Sequence, residues 1–313
     1  MPGSGPNDSL PVSLQDWVTG AVGARVKGVR RLQGATSSTL FTIETAASPP
    51  HDRLVLRCLT LTEWLEEEPD LAPHEAAALE KAAGCGLPVP AVVAFDETGA
   101  EAGIPSLLMT WLPGQVWLNP PDLDTWLVEL AATLVPIHQM SAGNFPWAYR
   151  TWQDLNDLQA PAWSDHPALW KRMFEIVTGP PPDNYACFIH RDYHPTNVLW
   201  ADGEVSGVVD WINACRGNPG IDIGHCRLNL IHLYGVEAAD TFLRAYRERA
   251  GPAYRYHPYW DLITLVELLP GPPGIYRPWL DFGVTGLTDE LVRQRVDDYL
   301  VSLIGKSLLM SGE

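Results

Sequence analysis

Apolar and polar residues alternate along the first third of the chain and then recur at helical spacing. "VKGVRRLQGATSSTLFTIETA" holds two strand-like runs around the polar "QGATSS", and "DRLVLRCL" is a third β-rich run. An acidic helical segment follows from about residue 62 to 84. After it come "VPAVVAFDETG", a strand with its turn, and "IPSLLMTWLPG", an apolar strand stopped by Pro113-Gly114. This order predicts a small antiparallel sheet carrying a helix. Beyond Gly114 the period changes. "PDLDTWLVELAATLVPIHQM" places Leu123, Leu127, Leu130 and Leu134 on one helical face. "SDHPALWKRMFEIV", "GVEAADTFLRAYRERAG" and "LTDELVRQRVDDYLVSLIGKSLL" continue the helical texture between Pro- and Gly-rich loops. The expectation is an α+β chain with a mobile tail over 1–11, a sheet-rich lobe over 12–112 and a mostly helical lobe over 113–313. A hinge is expected near 109–114.

Composition narrows the function classes. With 46% hydrophobic residues in 313, the chain can bury a sizeable core. Its net charge of −17 and the lack of any Lys/Arg cluster argue against a nucleic-acid partner. Five cysteines without a C-x-x-C pair offer no zinc ribbon and fit reduced thiols. The start lacks a secretory signal pattern, and no apolar run reaches the length of a membrane span, so a cytoplasmic location is expected.

The chemistry concentrates in "FIHRDYHPTNVLWADGEVSGVVDW", residues 188–211. Pro195 prevents a continuous helix, so "HRDYHPTN" is a loop. Past it, Asp202-Gly203 is a favoured two-residue turn between "NVLW" and "VSGVVDW". Pairing the strands about that turn brings Asn197 opposite Val208, with Asp210 about 7 Å further along. Asp192 lies in the loop that feeds the same end of the hairpin. Oxygen-bearing side chains grouped in this way suit a hard cation such as Mg2+.

Three readings of the loop compete. A solvated loop with an Asx-turn at Asn197 is the simplest. A metallohydrolase would use His190, Asp192 and His194 as an H-x-D-x-H ligand set. Phosphoryl transfer would use Asp192 to accept the proton of an attacking hydroxyl, with Asn197 and Asp210 on Mg2+. The pattern H-R-D-x-x-x-x-N, followed across a hairpin by Asp, matches the third best.

With "HRDYHPTNVL", "VVDW" and "DWINACRGNPGIDIG", the chain resembles the aminoglycoside phosphotransferase family of small-molecule kinases, a branch of the protein-kinase-like superfamily. The resemblance implies a small N-terminal antiparallel β lobe with a helix, a larger helical lobe, Mg2+, and ATP or GTP as donor. It implies Asp192 as base and Asn197 and Asp210 as metal ligands. "QGATSS", with Gly34, Ser37 and Ser38, would cover the phosphates. Arg57 would stand where the family carries a phosphate-contacting Lys, paired with Glu75 on the helix. Backbone groups of Met109 to Leu112, Trp111 among them, would hydrogen-bond the purine at the hinge, Leu199 would also bind the nucleotide, and His190 would organise the loop. The acceptor would be a small hydroxyl compound such as an aminoglycoside or macrolide, bound by a monomer or homodimer. Acidic and aromatic residues after 115, among them Asp154, Asp261, Glu267, Trp152 and Trp260, are a possible wall for a cationic acceptor. A non-catalytic nucleotide-binding relative is the alternative, with Arg57 as its best support.

Overall fold

The computed structural model describes residues 9–32, 37–182 and 185–311, and the chain forms two compact units. The first takes the described residues of Met1–Gly114 together with Ser206–Asn213, and the second takes those of Gln115–Val205 and Ala214–Glu313.

The first unit begins with α1 (Val12–Val22), β1 (Val26–Arg31), β2 (Thr39–Thr45) and β3 (Arg53–Cys58). It continues with α2 (Thr62–Glu67), α3 (Leu71–Ala82), β4 (Val92–Asp96) and β5 (Ser106–Thr110). The strands form one antiparallel sheet in the order β1-β2-β3-β5-β4. Strand alternation decides what each face carries. Leu54, Leu56 and Cys58 point into a core with Ile43, Leu108 and the α1 residues Leu14, Trp17 and Val18. Arg57, opposite Leu40 and Leu107 in register, therefore projects from the other face.

Helix α1 was not legible in the alternation. It is short, follows Pro11 without a capping side chain, and contains Gly20. The expected tail is also too long, because Leu10 is buried in the same core.

The second unit contains α4 (Leu123–His138), α5 (Pro167–Val177), β6 (Cys187–Ile189) and β7 (Val198–Ala201). Strand β8 (Glu204–Val208) runs across the division between the units. Then come β9 (Cys215–Gly217), α6 (Pro219–Tyr234), α7 (Val236–Ala250), α8 (Tyr259–Val266), α9 (Pro278–Asp281) and α10 (Asp289–Ser311). Asp122 caps α4 by accepting from the Thr125 N–H, and Leu127, Leu130 and Leu134 are buried as their spacing predicts. Helix α4 packs on α7, and α6 packs on α7, α8 and α10. The turn between β7 and β8 is the one expected: Asp202 at φ 52° and Gly203 at φ 86° both sit in the left-handed region that a two-residue hairpin turn requires.

Candidate functional site

The sequence-predicted residues divide between two polar clusters, one in each unit. In the first unit the cluster starts on α3. Leu71, Glu75, Ala78, Leu79 and Ala82 share one buried helical face, so Glu75 places a carboxylate among apolar side chains. At 1% exposure it requires a partner, and Arg57 supplies one, its Nε lying 2.9 Å from Glu75 Oε2. The same guanidinium donates from Nη2 to Asp210 Oδ1 at 2.8 Å and from Nη1 to Ser38 Oγ at 3.1 Å. One Arg fork thus ties together a helix, a strand and the segment after β8. Burial pushes the Glu75 carboxyl up to about 7, against the lowering pull of Arg57, and the negative Asp210 adds to the rise.

Asp210 is held at φ 66°, a left-handed backbone that costs a non-glycine residue and turns its side chain toward Arg57. The flanks are pinned: Val208 N–H donates to Pro88 O at 3.0 Å, and the buried Trp211 indole donates to Val208 O at 3.0 Å. At Gly207 a Cβ would lie 2.5 Å from Leu112 Cδ1, so a side chain there would push this segment out of place.

In the second unit the loop 190–197 is built around buried Asp222, in the first turn of α6. Its two oxygens accept the backbone N–H groups of His190 (2.8 Å) and Arg191 (2.7 Å). His138 Nε2 lies 3.0 Å from Oδ2, and the other nitrogen of that ring lies 2.7 Å from the Tyr246 hydroxyl. Burial alone would raise the Asp222 carboxyl, but the His138 contact and these N–H donors hold it below the usual carboxylate range. So braced, Arg191 adopts φ 70°. Its guanidinium donates to Glu267 at 2.6 Å and lies 3.9 Å over the Trp152 ring.

Asp192 follows directly. Its Oδ1 lies 2.9 Å from His225 Nε2 and 3.7 Å from His194 Nε2. Asn197 Nδ2 donates to the Asp192 carbonyl at 2.8 Å and to Oδ2 at 3.3 Å. Burial opposes ionisation of Asp192, yet His194 and His225 outweigh it and keep the carboxyl well below its ordinary value of 3.8. The reciprocal effect raises His225 despite its burial. Asp192 is therefore an anchored carboxylate, able to orient a hydroxyl and to take up its proton as an oxyanion leaves.

The other expected residues fall as follows. Ser37 is half-buried two residues before β2, while Gly34 lies outside the described residues. Met109 is buried on β5 between β3 and β4. The Trp111 backbone N–H donates to Arg53 O at 3.3 Å, and its ring lies under the Arg53 guanidinium at 3.8 Å. Leu199 is half-buried on β7, and His190 is fully buried at the start of the loop.

Two expectations change. The H-x-D-x-H set is not what gathers around Asp192: the group able to share a cation there is Asp192, His194 and His225. Asp261 and Trp260 do not form an acceptor wall. Asp261 is buried against Arg227 at 2.6 Å and accepts from Tyr256 and Tyr299, while Trp260 is packed on Gly220. His225 was missed, although its position one helical turn after Asp222 puts both on the loop side of α6.

Residues 28–259 match the model of the phosphotransferase enzyme family. The chain belongs to that family. Phosphotransferase family members with solved structures share its fold. An aminoglycoside-3'-phosphotransferase of type VIII superposes with TM-score 0.56 at 20% identity, covering 81% of this chain and 99% of that one. The choline kinase of Streptococcus pneumoniae superposes with TM-score 0.60 at 15% identity, covering 93% and 97%. By sequence, this chain is 28% identical over 172 residues to a homoserine kinase of Nitrobacter hamburgensis, covering 50% of this chain and 52% of the relative. The match thus spans about half the length of that curated relative. The α+β, protein-kinase-like fold expected from the sequence is the observed one.

Proposed function

We propose that this phosphotransferase moves the terminal phosphate of ATP or GTP to a hydroxyl of a small molecule, with Asp192 as the base. The observation that carries the reading is the clamped Asp192 carboxylate. His225 and Asn197 fix it, and Asp222 braces its loop, so its geometry is set before a substrate arrives. An ionised base of low proton affinity suits phosphoryl transfer, in which the attacking oxygen gives up its proton late and positioning supplies most of the acceleration.

Asn197 and Asp210 are the residues we assign to Mg2+. The Asn197 amide nitrogen is committed to Asp192, which leaves its amide oxygen as the available donor. Asp210 adds a carboxylate, and each is a hard oxygen donor of the kind magnesium prefers. Neutralisation of phosphate charge is what the bound ion supplies. Arg57, held by Glu75, takes the role of the phosphate-contacting cation. Ser37 and Ser38 belong to the phosphate loop, and Met109, Trp111 and Leu199 contact the base.

The relatives named as homoserine, choline and aminoglycoside kinases act on alcohols that also carry a nitrogen cation, which favours that acceptor class here. Trp152, half of it exposed although Arg191 stacks on its ring, is an aromatic surface of suitable chemistry for it. The test is a mass-shift screen of Mg2+-nucleotide with amino alcohols, aminoglycosides and macrolides. Gain of one phosphate on an acceptor of that class is expected. Nucleotide binding without transfer to any compound would leave the non-catalytic alternative standing.

A further inference from the structure

The second unit holds a group of ligands that magnesium would not select. Asp192, His194 and His225 each present one ligand atom, all within 4.8 Å of one another. Two of the three donors are imidazole nitrogens, which suit zinc and neighbouring transition metals, whereas magnesium takes oxygen. The spacing also fits. A tetrahedral ion bound at about 2.0–2.1 Å sets its ligand atoms about 3.3 Å apart. The His225 Nε2 and His194 Nε2 separations from Asp192 Oδ1, 2.9 and 3.7 Å, bracket that value.

Orientation gives an independent argument. The Thr196 hydroxyl lies 2.8 Å from His194 Nδ1 and so commits that nitrogen to a hydrogen bond. The ring atom left facing the Asp192 carboxylate is Nε2, at a distance too long for a hydrogen bond and suited to a shared cation. A hydrogen bond to the second ring nitrogen is the usual way a ligand histidine is held in place. His225 sits on α6, the helix that braces the loop through Asp222, so its backbone and that of the loop ligands are fixed.

We propose that Asp192, His194 and His225 bind a transition-metal dication of the zinc type, with ligands separate from the proposed magnesium pair, and that its occupancy inhibits the enzyme. Binding follows from the ligand geometry alone. Inhibition rests on the reading of Asp192 as the base, because a zinc ion on one carboxylate oxygen withdraws charge from Asp192 and lowers its affinity for the proton of an acceptor hydroxyl.

The test is equilibrium dialysis of the full chain against Zn2+ in excess Mg2+, with Co2+ as a spectroscopic probe. One zinc per chain and the visible absorption of low-coordinate cobalt are expected. Thr196→Val should weaken zinc roughly 10- to 100-fold, as loss of an outer-shell partner does, and His194→Gln and His225→Gln should weaken it further. His51→Gln, in the β2–β3 loop, should leave it unchanged. A zinc-dependent rise in the melting temperature of the wild type, absent from both ligand variants, keeps the result independent of variants that fold poorly. No zinc uptake by the wild type, or uptake unchanged in both ligand variants, overturns the site. In the transfer assay, zinc should inhibit the wild type and lose potency against His225→Gln. If no acceptor is phosphorylated even without zinc, the proposed function fails, while dialysis still decides the metal site.

Discussion

The two polar clusters are built by opposite strategies. In the first unit three charged side chains meet from distant parts of the chain. Arg57 and Asp210 are 153 residues apart, and an apolar helix face forces the contact by burying Glu75. In the second unit one buried carboxylate fixes a short backbone loop, and most of the functional groups then follow within a few residues of each other. A side-chain triad can lose a member and rearrange. A loop pinned through its backbone N–H groups has no substitute partner when its carboxylate is removed. The two units should therefore respond differently to mutation and to pH.

The largest effect should come from Asp222→Ala. It strips two N–H donors and His138 of their partner and should cost about 3–5 kcal/mol, read from urea unfolding of the full chain. A loss under about 1 kcal/mol would mean that the loop does not depend on this brace. Arg57→Met should cost less, about 1–3 kcal/mol, because Glu75 already sits near neutrality and can take up a proton when its partner leaves. Equal losses in the two variants would erase the contrast.

The smallest effects, and the most diagnostic, lie in pH. Glu75 is raised from its ordinary 4.5 to about 7, so the folded chain keeps a proton there that the unfolded chain has released. Its contribution is full at or below pH 4.5 and is lost as pH rises towards 7. His232 is lowered from 6.5 to about 4 by burial and by its neighbours His225 and Arg295. The unfolded chain takes up a proton there first, so stability falls as pH drops from 6.5 to 4. The two slopes oppose each other between pH 4.5 and 6.5. Glu75→Gln should steepen the acid-side loss, and His232→Asn should flatten or reverse it. Stability profiles of either variant that run parallel to the wild type would remove these two groups as the cause.

What was legible in the sequence follows the same contrast. Asp192, Asn197 and the Asp202-Gly203 turn lie in one continuous stretch, so spacing and turn chemistry exposed them. The buried face of α4 was readable because helical period reports burial directly. Arg57 and Glu75 were reached only through the family resemblance, since nothing local announces a pairing between a strand and a helix. His138 is 84 residues from Asp222, and Glu267 is 76 from Arg191. Such contacts depend on how helices pack, which periodicity does not encode. Asp261 and Trp260 dropped out of the acceptor wall for the same reason: Asp261 looks like surface charge in the sequence but is paired in the interior with Arg227.

The central claim is that Asp192 serves the chemical step and not nucleotide binding. The most direct measurement is the single-turnover rate of phosphate transfer by Asp192→Asn at saturating Mg2+-nucleotide, beside its nucleotide affinity. The account predicts a rate lower by roughly 10²–10⁴-fold, the usual contribution of a positioned acid or base, with affinity close to wild type. A rate within a few-fold of wild type would contradict it.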